Sequence, residues 1–192
     1  MTKIYIVDTE TTGLVGAPRD LVVDIGICEF DTFTQNVKDV YSSRLGYDTS
    51  EWSDSMKNAW IFTHQGADLT VEDVTIPNAP PAEQVIQEVK TILDGQLVTS
   101  YNMPFDFDKF LLKGPWWLNV HLGRDIMLSA TAYILNGTGD GRYQSLQKAY
   151  DFIFRGYDPA KIGSIEKHLG LPDARMAAYV LKKLWQMNMY RI

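Results

Sequence analysis

The chain opens with a β-rich run, Lys3 to Val7 (KIYIV), that stops at Asp8. Leu21 to Phe30 (LVVDIGICEF) alternates in part, and residues 36–45 form a third run of the same kind. Short connections between them predict an antiparallel meander. After Pro80-Pro81 the period changes. Val85, Ile86, Val89, Ile92 and Leu93 fall on one face of a helix, and Gly95 stops it. Residues 96–101 (QLVTSY) read as a fourth strand. A short helix is expected over 106–113, then helices over 126–135 and 143–154. A long final helix is expected over 171–188, with Pro172 tolerated in its first turn. Strands first, then helices alternating with strands, predict an α/β sandwich around a mixed sheet. No internal repeat or low-complexity tract interrupts the chain. The glycine-rich stretch 136–141 (NGTGDG) lacks the Gly-Lys-Ser/Thr ending of a phosphate loop, so it reads as a flexible connection.

Composition narrows the class. At 192 residues the expectation is one domain, and 45% hydrophobic and 12% aromatic residues can bury a sizeable core, which argues against disorder. Lys and Arg number 18 against 24 Asp and Glu, a net charge of −6. That speaks against coating nucleic acid by bulk positive charge and leaves open a local grip on an end. The single cysteine, Cys28, excludes a disulfide framework and a zinc site of several thiolates. No apolar run approaches the roughly 20 residues of a membrane helix, and the segment MTKIYIVD is too short to be a secretory signal. A cytoplasmic protein without a membrane partner is expected.

Three carboxylate segments carry candidate chemistry. Asp8 and Glu10 lie two apart at the end of a strand, so alternation puts both on one face. Carboxylates about 7 Å apart repel unless a cation lies between them, and Mg²⁺ or Mn²⁺ takes oxygen ligands; without a cation the pair is two solvated residues before a Thr-Gly turn. Asp106 starts a helix at the end of the fourth strand, where α/β sheets place their sites, although it could simply cap that helix, as could Asp108. Asp173 sits in the first turn of the final helix. His168, five residues earlier, would in isolation be an ordinary loop histidine.

In this order and spacing the segments resemble the DEDD 3′–5′ exonucleases, in the branch whose fifth residue is histidine. That group includes the proofreading exonuclease of bacterial replicases, RNase T and oligoribonuclease. IVDTETTGL, from Ile6 to Leu14, matches the first motif without a gap. SYNMPFDFDKFL is similar to the second, with Tyr101 where histidine is common. HLGLPDAR has the spacing of the third from His168 to Asp173, with Gly170 in an alanine place, and Leu169 stands where the other branch has tyrosine. Thr63-His64-Gln65-Gly66 and the segment 145–150 (SLQKAY) add smaller similarities. Residues 154–166 match nothing firmly, which leaves His64 and His121 as poorer substitutes for His168.

The resemblance implies an RNase H-like α/β fold, a mixed five-stranded sheet with flanking helices, as one exonuclease domain over 1–192. It implies two Mg²⁺ or Mn²⁺ ions held by Asp8, Glu10, Asp106 and Asp173. Asp8 would bridge both, Glu10 and Asp173 would complete the ion holding the attacking water, and Asp106 would support the second. His168 would be the general base. Thr11 and Leu14 would meet the terminal nucleotide, and Asn102 and Phe105 the next position. The activity implied is hydrolysis from the 3′ end of single-stranded nucleic acid, DNA ahead of RNA, releasing nucleoside 5′-monophosphates. A stand-alone enzyme or a homodimer is expected. The rival reading is a catalytically weak nuclease-fold module that binds nucleic-acid ends or a protein partner. Trp52, Trp60, Trp116 and Trp117 are expected in packing more than in base stacking, and Lys182 and Lys183 on a solvated face.

Overall fold

The computed structural model describes residues 2–65, 67–135, 143–161 and 168–192. Strands β1 (Lys3–Thr11), β2 (Val22–Asp31) and β3 (Val37–Arg44) form the expected antiparallel meander. β4 (Leu97–Thr99) joins β1 in parallel and β5 (His121–Leu122) joins β4, giving a mixed five-stranded sheet in the order β3-β2-β1-β4-β5. β5 escapes the sequence pattern because two residues leave no alternation to read. The four-residue helices α1 (Asp54–Lys57) and α2 (Trp60–Thr63) escape it for the same reason. The longer helices are α3 (Ala82–Leu93), α4 (Ile126–Ile134), α5 (Leu146–Phe154) and α6 (Gly170–Gln186), within a few residues of their expected bounds. The short helix after β4 spans Pro104–Leu111, starts earlier than expected, and has the wider π-type turn. The glycine-rich stretch 136–141 lies outside the described residues, as does Gly66 of the histidine turn. Among the described residues no helix is long and apolar enough to cross a membrane.

The site follows from the alternation of two strands. Ile4 and Ile6 of β1, with Cys28 and Phe30 opposite them on β2, pack against α4, α5 and α6 in one buried cluster. Val7, Ile25 and Ile27 point the other way, onto α3 and the Pro104–Leu111 helix. Asp8 and Glu10 continue the Ile4–Ile6 register and so face α6. Their partners across the ladder are Gly26 and Asp24, in the same order. A Cβ at Gly26 would lie 2.1 Å from the Gly170 carbonyl carbon and from the Leu171 nitrogen, so strand and helix backbones touch there. Only a residue without a side chain permits that approach. α6 is thereby fixed with its first turn over the end of β1.

Candidate active site

Three elements bring the acids together. The end of β1 supplies Asp8 and Glu10, the helix after β4 supplies Asp106, and the first turn of α6 supplies Asp173. One ligand atom each from Glu10, His168 and Asp173 lie within 4.8 Å of one another. Asp106 is tied to β1 by Thr9, which faces away from Asp8 and Glu10. The Thr9 amide and hydroxyl donate to Asp106 Oδ1 at 3.2 and 2.7 Å. Asp106 is buried, and the helix end carries no side-chain cap, so Asp106 is not spent on capping its own helix. Asp108 is exposed.

The electrostatics follow from this crowding. Burial, then the charges of Asp173, Asp106, Glu10 and Asp24, push the Asp8 carboxyl well above the usual carboxylate range. Burial and the charges of Asp173, Asp24 and Asp106 do the same to Glu10. Burial raises Asp106 to about 7 against the opposing pull of its Thr9 bonds, and raises Asp173 to about 6. Buried carboxylates without a counter-charge are costly. An all-oxygen acid set with one imidazole beside it is the donor chemistry of a hard divalent cation, and Glu10, His168 and Asp173 are close enough to share one.

The sequence reading missed two features of this site. Asp24 is buried beside Glu10, and the Gly170 amide donates to its Oδ1 at 2.7 Å. α6 has no capping side chain of its own, so Asp24 serves an otherwise orphan amide at its start and fixes the turn that carries Asp173. In the sequence Asp24 was one polar residue inside a strand; the apolar residues around it were the available signal that a charge there is unusual. The second feature is an aromatic support for His168. Trp60 and His64 stack with centroids 3.9 Å apart and planes 9° from parallel. His168 lies 5.0 Å from Trp60 and 5.2 Å from His64, nearly perpendicular to both. Near-equal distances to two stacked rings put His168 beside their edges, not over an outer face. His64 Nδ1 lies 2.8 Å from the Trp60 carbonyl, and its Nε2 is buried without a hydrogen-bond partner. Leu169 packs with Ile61 of α2 in a third buried cluster, which draws the two segments together. His168 itself has φ of 57°, a left-handed conformation that the surrounding contacts must hold. Of the alternative histidines, His64 therefore stands beside His168, whereas His121 pairs with Leu97 at the other end of β4.

The remaining expected residues are spread around the acids. Thr11 closes the strand, its hydroxyl donating to the Gly13 carbonyl at 2.8 Å. Leu14 is 73% exposed, so core packing is not its role. The loop bearing it is held by Asp20, which accepts from the Val15 and Gly16 amides at 2.7 and 3.1 Å, and by Lys109, which donates to the Leu14 carbonyl at 2.6 Å. Asn102 has φ of 91°, and Asp125 accepts from the Met103 amide at 2.9 Å, steadying that turn. Phe105 is half-buried with Phe110 against it at 5.5 Å. Tyr101 is buried and donates to the Gln144 carbonyl at 2.8 Å. Trp52 and Trp116 are buried as expected, while Trp60 and Trp117 are 59% and 67% exposed.

No protein-family model matches the chain, and no curated protein sequence matches it. Solved structures do. A full-length 3′-exonuclease superposes with a TM-score of 0.64 at 17% identity, over 98% of this chain and 83% of that one. The nuclease domain of 3′hExo, a DEDDh family member bound to rAMP, gives 0.59 at 14% identity, over 99% and 95%. E. coli Exonuclease I in complex with a dA16 oligonucleotide gives 0.61 at 14% identity; 96% of this chain is covered, but only 41% of that one. At such identities the likeness speaks for architecture: the chain has the fold of the DEDDh 3′-exonucleases.

Proposed function

We propose that the protein is a metal-dependent 3′–5′ exonuclease acting on single-stranded nucleic acid, DNA ahead of RNA, and releasing nucleoside 5′-monophosphates. The observation that carries this reading is the convergence of Glu10, His168 and Asp173 ligand atoms within 4.8 Å, beside half-buried Asp8 and buried Asp106. A fold used only to bind has no need for buried like charges that destabilise it.

Two bound Mg²⁺ or Mn²⁺ ions would supply charge neutralisation, a more acidic water and a template for in-line attack. Asp8, Glu10, Asp106 and Asp173 would hold these ions, and the charge effects on Asp8 from the other three support that set. His168 takes the proton from the attacking water, the general-base role that histidine commonly fills. Thr9 keeps the Asp106 carboxylate aimed through its two hydrogen bonds. Thr11, on the backbone after Glu10, meets the 3′-terminal sugar. Leu14 packs on the last base, and its solvent exposure on a hydrogen-bonded loop supports that assignment. Asn102 and Phe105 line the next position. Apolar contact with base faces tolerates any sequence, as end trimming requires.

The test is incubation of purified protein with 5′-labelled single-stranded DNA and RNA, with and without Mg²⁺ or Mn²⁺, alongside Asp8→Ala and His168→Ala. A metal-dependent shortening ladder is expected, abolished by Asp8→Ala and reduced roughly 10²–10⁴-fold by His168→Ala. Full-length substrate in every lane overturns the reading. A gel shift without cleavage would favour the end-binding module instead.

A further inference from the structure

On an acidic protein, one surface gathers cations. Lys161, Lys182 and Lys183 line a trough of 490 Å³ between the end of α5 and the outer side of α6, with Tyr157 and Tyr179 among its walls. A neighbouring hollow of 330 Å³, reaching Lys38 and Arg175, shares Pro159, Lys161 and Tyr179 with it, so the two lie side by side between β3 and the end of α6. Some of its charge is already matched. Arg175 grips Asp39 through two hydrogen bonds of 3.0 and 2.6 Å, and Lys38 lies 3.4 Å from Glu29. Among the described residues, no carboxylate pairs with Lys161, Lys182 or Lys183.

The wall is built rather than loose. The Tyr150 hydroxyl donates to Asp158 at 2.8 Å and accepts from the Ala160 amide at 2.9 Å, which pins the segment leading to Lys161. Lys161 itself has φ of 54°, a strained conformation for a residue with a side chain. Tyr157 is 71% exposed, and Lys182 Nζ stands 5.7 Å from the centre of the Tyr179 ring. Cations that no described carboxylate pairs with, set beside the exposed Tyr157 ring, are the chemistry that holds a single strand by backbone and base together. An acidic protein segment would use the lysines and leave the rings idle.

Position supports the same occupant. α6 carries Asp173 in its first turn, and Tyr179 and Lys183 lie six and ten residues further on. At a rise of about 1.5 Å per residue they stand about 9 and 15 Å from Asp173 along the helix. A hollow of 360 Å³ lined by His168, Asp173 and Met176 opens at the start of that same helix. Resting on the exonuclease reading, we infer that the lysine–tyrosine trough is a second contact for single-stranded substrate, holding its 5′-ward part several nucleotides from the 3′ end.

The test compares the wild type with the triple variant Lys161→Gln, Lys182→Gln, Lys183→Gln, and with Tyr157→Ala. Fluorescence anisotropy follows binding of 5′-labelled dT4 and dT20 in EDTA between 50 and 200 mM salt. The wild type should bind dT20 more tightly than dT4. The triple variant should lose about tenfold in dT20 affinity at moderate salt, and its slope of log affinity against log salt should flatten by about 2, the value for three phosphates on a single strand. Tyr157→Ala should weaken dT20 binding with the slope unchanged. Binding and Mg²⁺-dependent trimming of dT4 should be the same in all three proteins. Equal dT20 affinity and slope in wild type and triple variant overturn the inference, as does wild-type dT20 binding no tighter than dT4. Displacement of dT20 by polyglutamate at equal charge concentration overturns it in favour of an acidic protein partner. Loss of the exonuclease reading shows separately, as wild-type protein that leaves dT4 uncut in Mg²⁺.

Discussion

Removing metal from the proposed site should make the protein's stability fall as pH rises, opposite to ordinary acid denaturation. Asp106 is raised from 3.8 to about 7 and Asp173 to about 6, and Asp8 and Glu10 are raised as well. A carboxyl raised in the folded state binds its proton more tightly there than in the unfolded chain. Its contribution is therefore fully present below its unfolded value and is lost as pH climbs through the folded one. For Asp106 the span is about 3 pH units, and at 1.36 kcal/mol per unit the loss is about 4 kcal/mol. The acids titrate as a group, so their losses do not add. Against a folding free energy of 5–15 kcal/mol that is a large share, equivalent to a fall of about 8–16 °C in melting temperature for a chain of this size. Thermal melts in EDTA from pH 4 to 8.5 should show this decline, running from about pH 4 to about 7, between the unfolded and folded values of Asp106. Excess Mg²⁺ should reverse it, with little effect near pH 5 and the largest near pH 8. Asp106→Asn should flatten the EDTA profile and raise the melting temperature at pH 8, while abolishing trimming. A profile in EDTA that is level or rises from pH 5.5 to 8 would refute the reasoning.

Other perturbations probe the supports of the site. Asp24→Ala leaves the Gly170 amide buried without its acceptor, so a destabilisation of about 1–3 kcal/mol is expected by denaturant melts, together with weaker Mg²⁺ binding by calorimetry. Gly26→Ala places a methyl group against the first turn of α6; overpacking of about 1–3 kcal/mol or more is expected, with trimming lost, and unchanged stability would contradict the strand–helix contact. Trp60→Ala removes the stacked support beside His168 and should lower kcat by about tenfold through misplacement of the base. Its pH–rate profile should change shape, whereas Mg²⁺ affinity measured by calorimetry should not move.

Much of this arrangement was legible in the residues, for stated reasons. β1, β2 and β3 bury whole faces, so alternation marked them, and the apolar stripe of α3 marked that helix. Alternation also put Asp8 and Glu10 on one face, and the structure shows that face turned to α6 because Ile4 and Ile6 share it. Bringing Asp106 and Asp173 to the same place needed the resemblance, since nothing local says that residues so far apart meet. Asp24 and the Trp60–His64 stack stayed hidden because their roles exist only across tertiary contacts: a ladder partner, a helix amide and a ring edge. The four-residue helices and the two-residue strand carry no period at all. Lys182 and Lys183 read as a solvated face because the wall opposite them, Tyr157 to Lys161, is brought there by α5 and not by their own helix.

The touching backbones at Gly26 and Gly170 also bear on when the proposed activity can begin. The acids of β1 emerge first from the ribosome, but the helix that completes them is made more than 160 residues later and seats only against a finished β2. At about 5–20 residues per second, synthesis leaves that interval at roughly ten seconds or longer. Throughout it the nascent chain lacks Asp173 and His168, so on the proposed reading it cannot trim a strand. On that reading, catalytic competence arrives in one step, with the docking of α6.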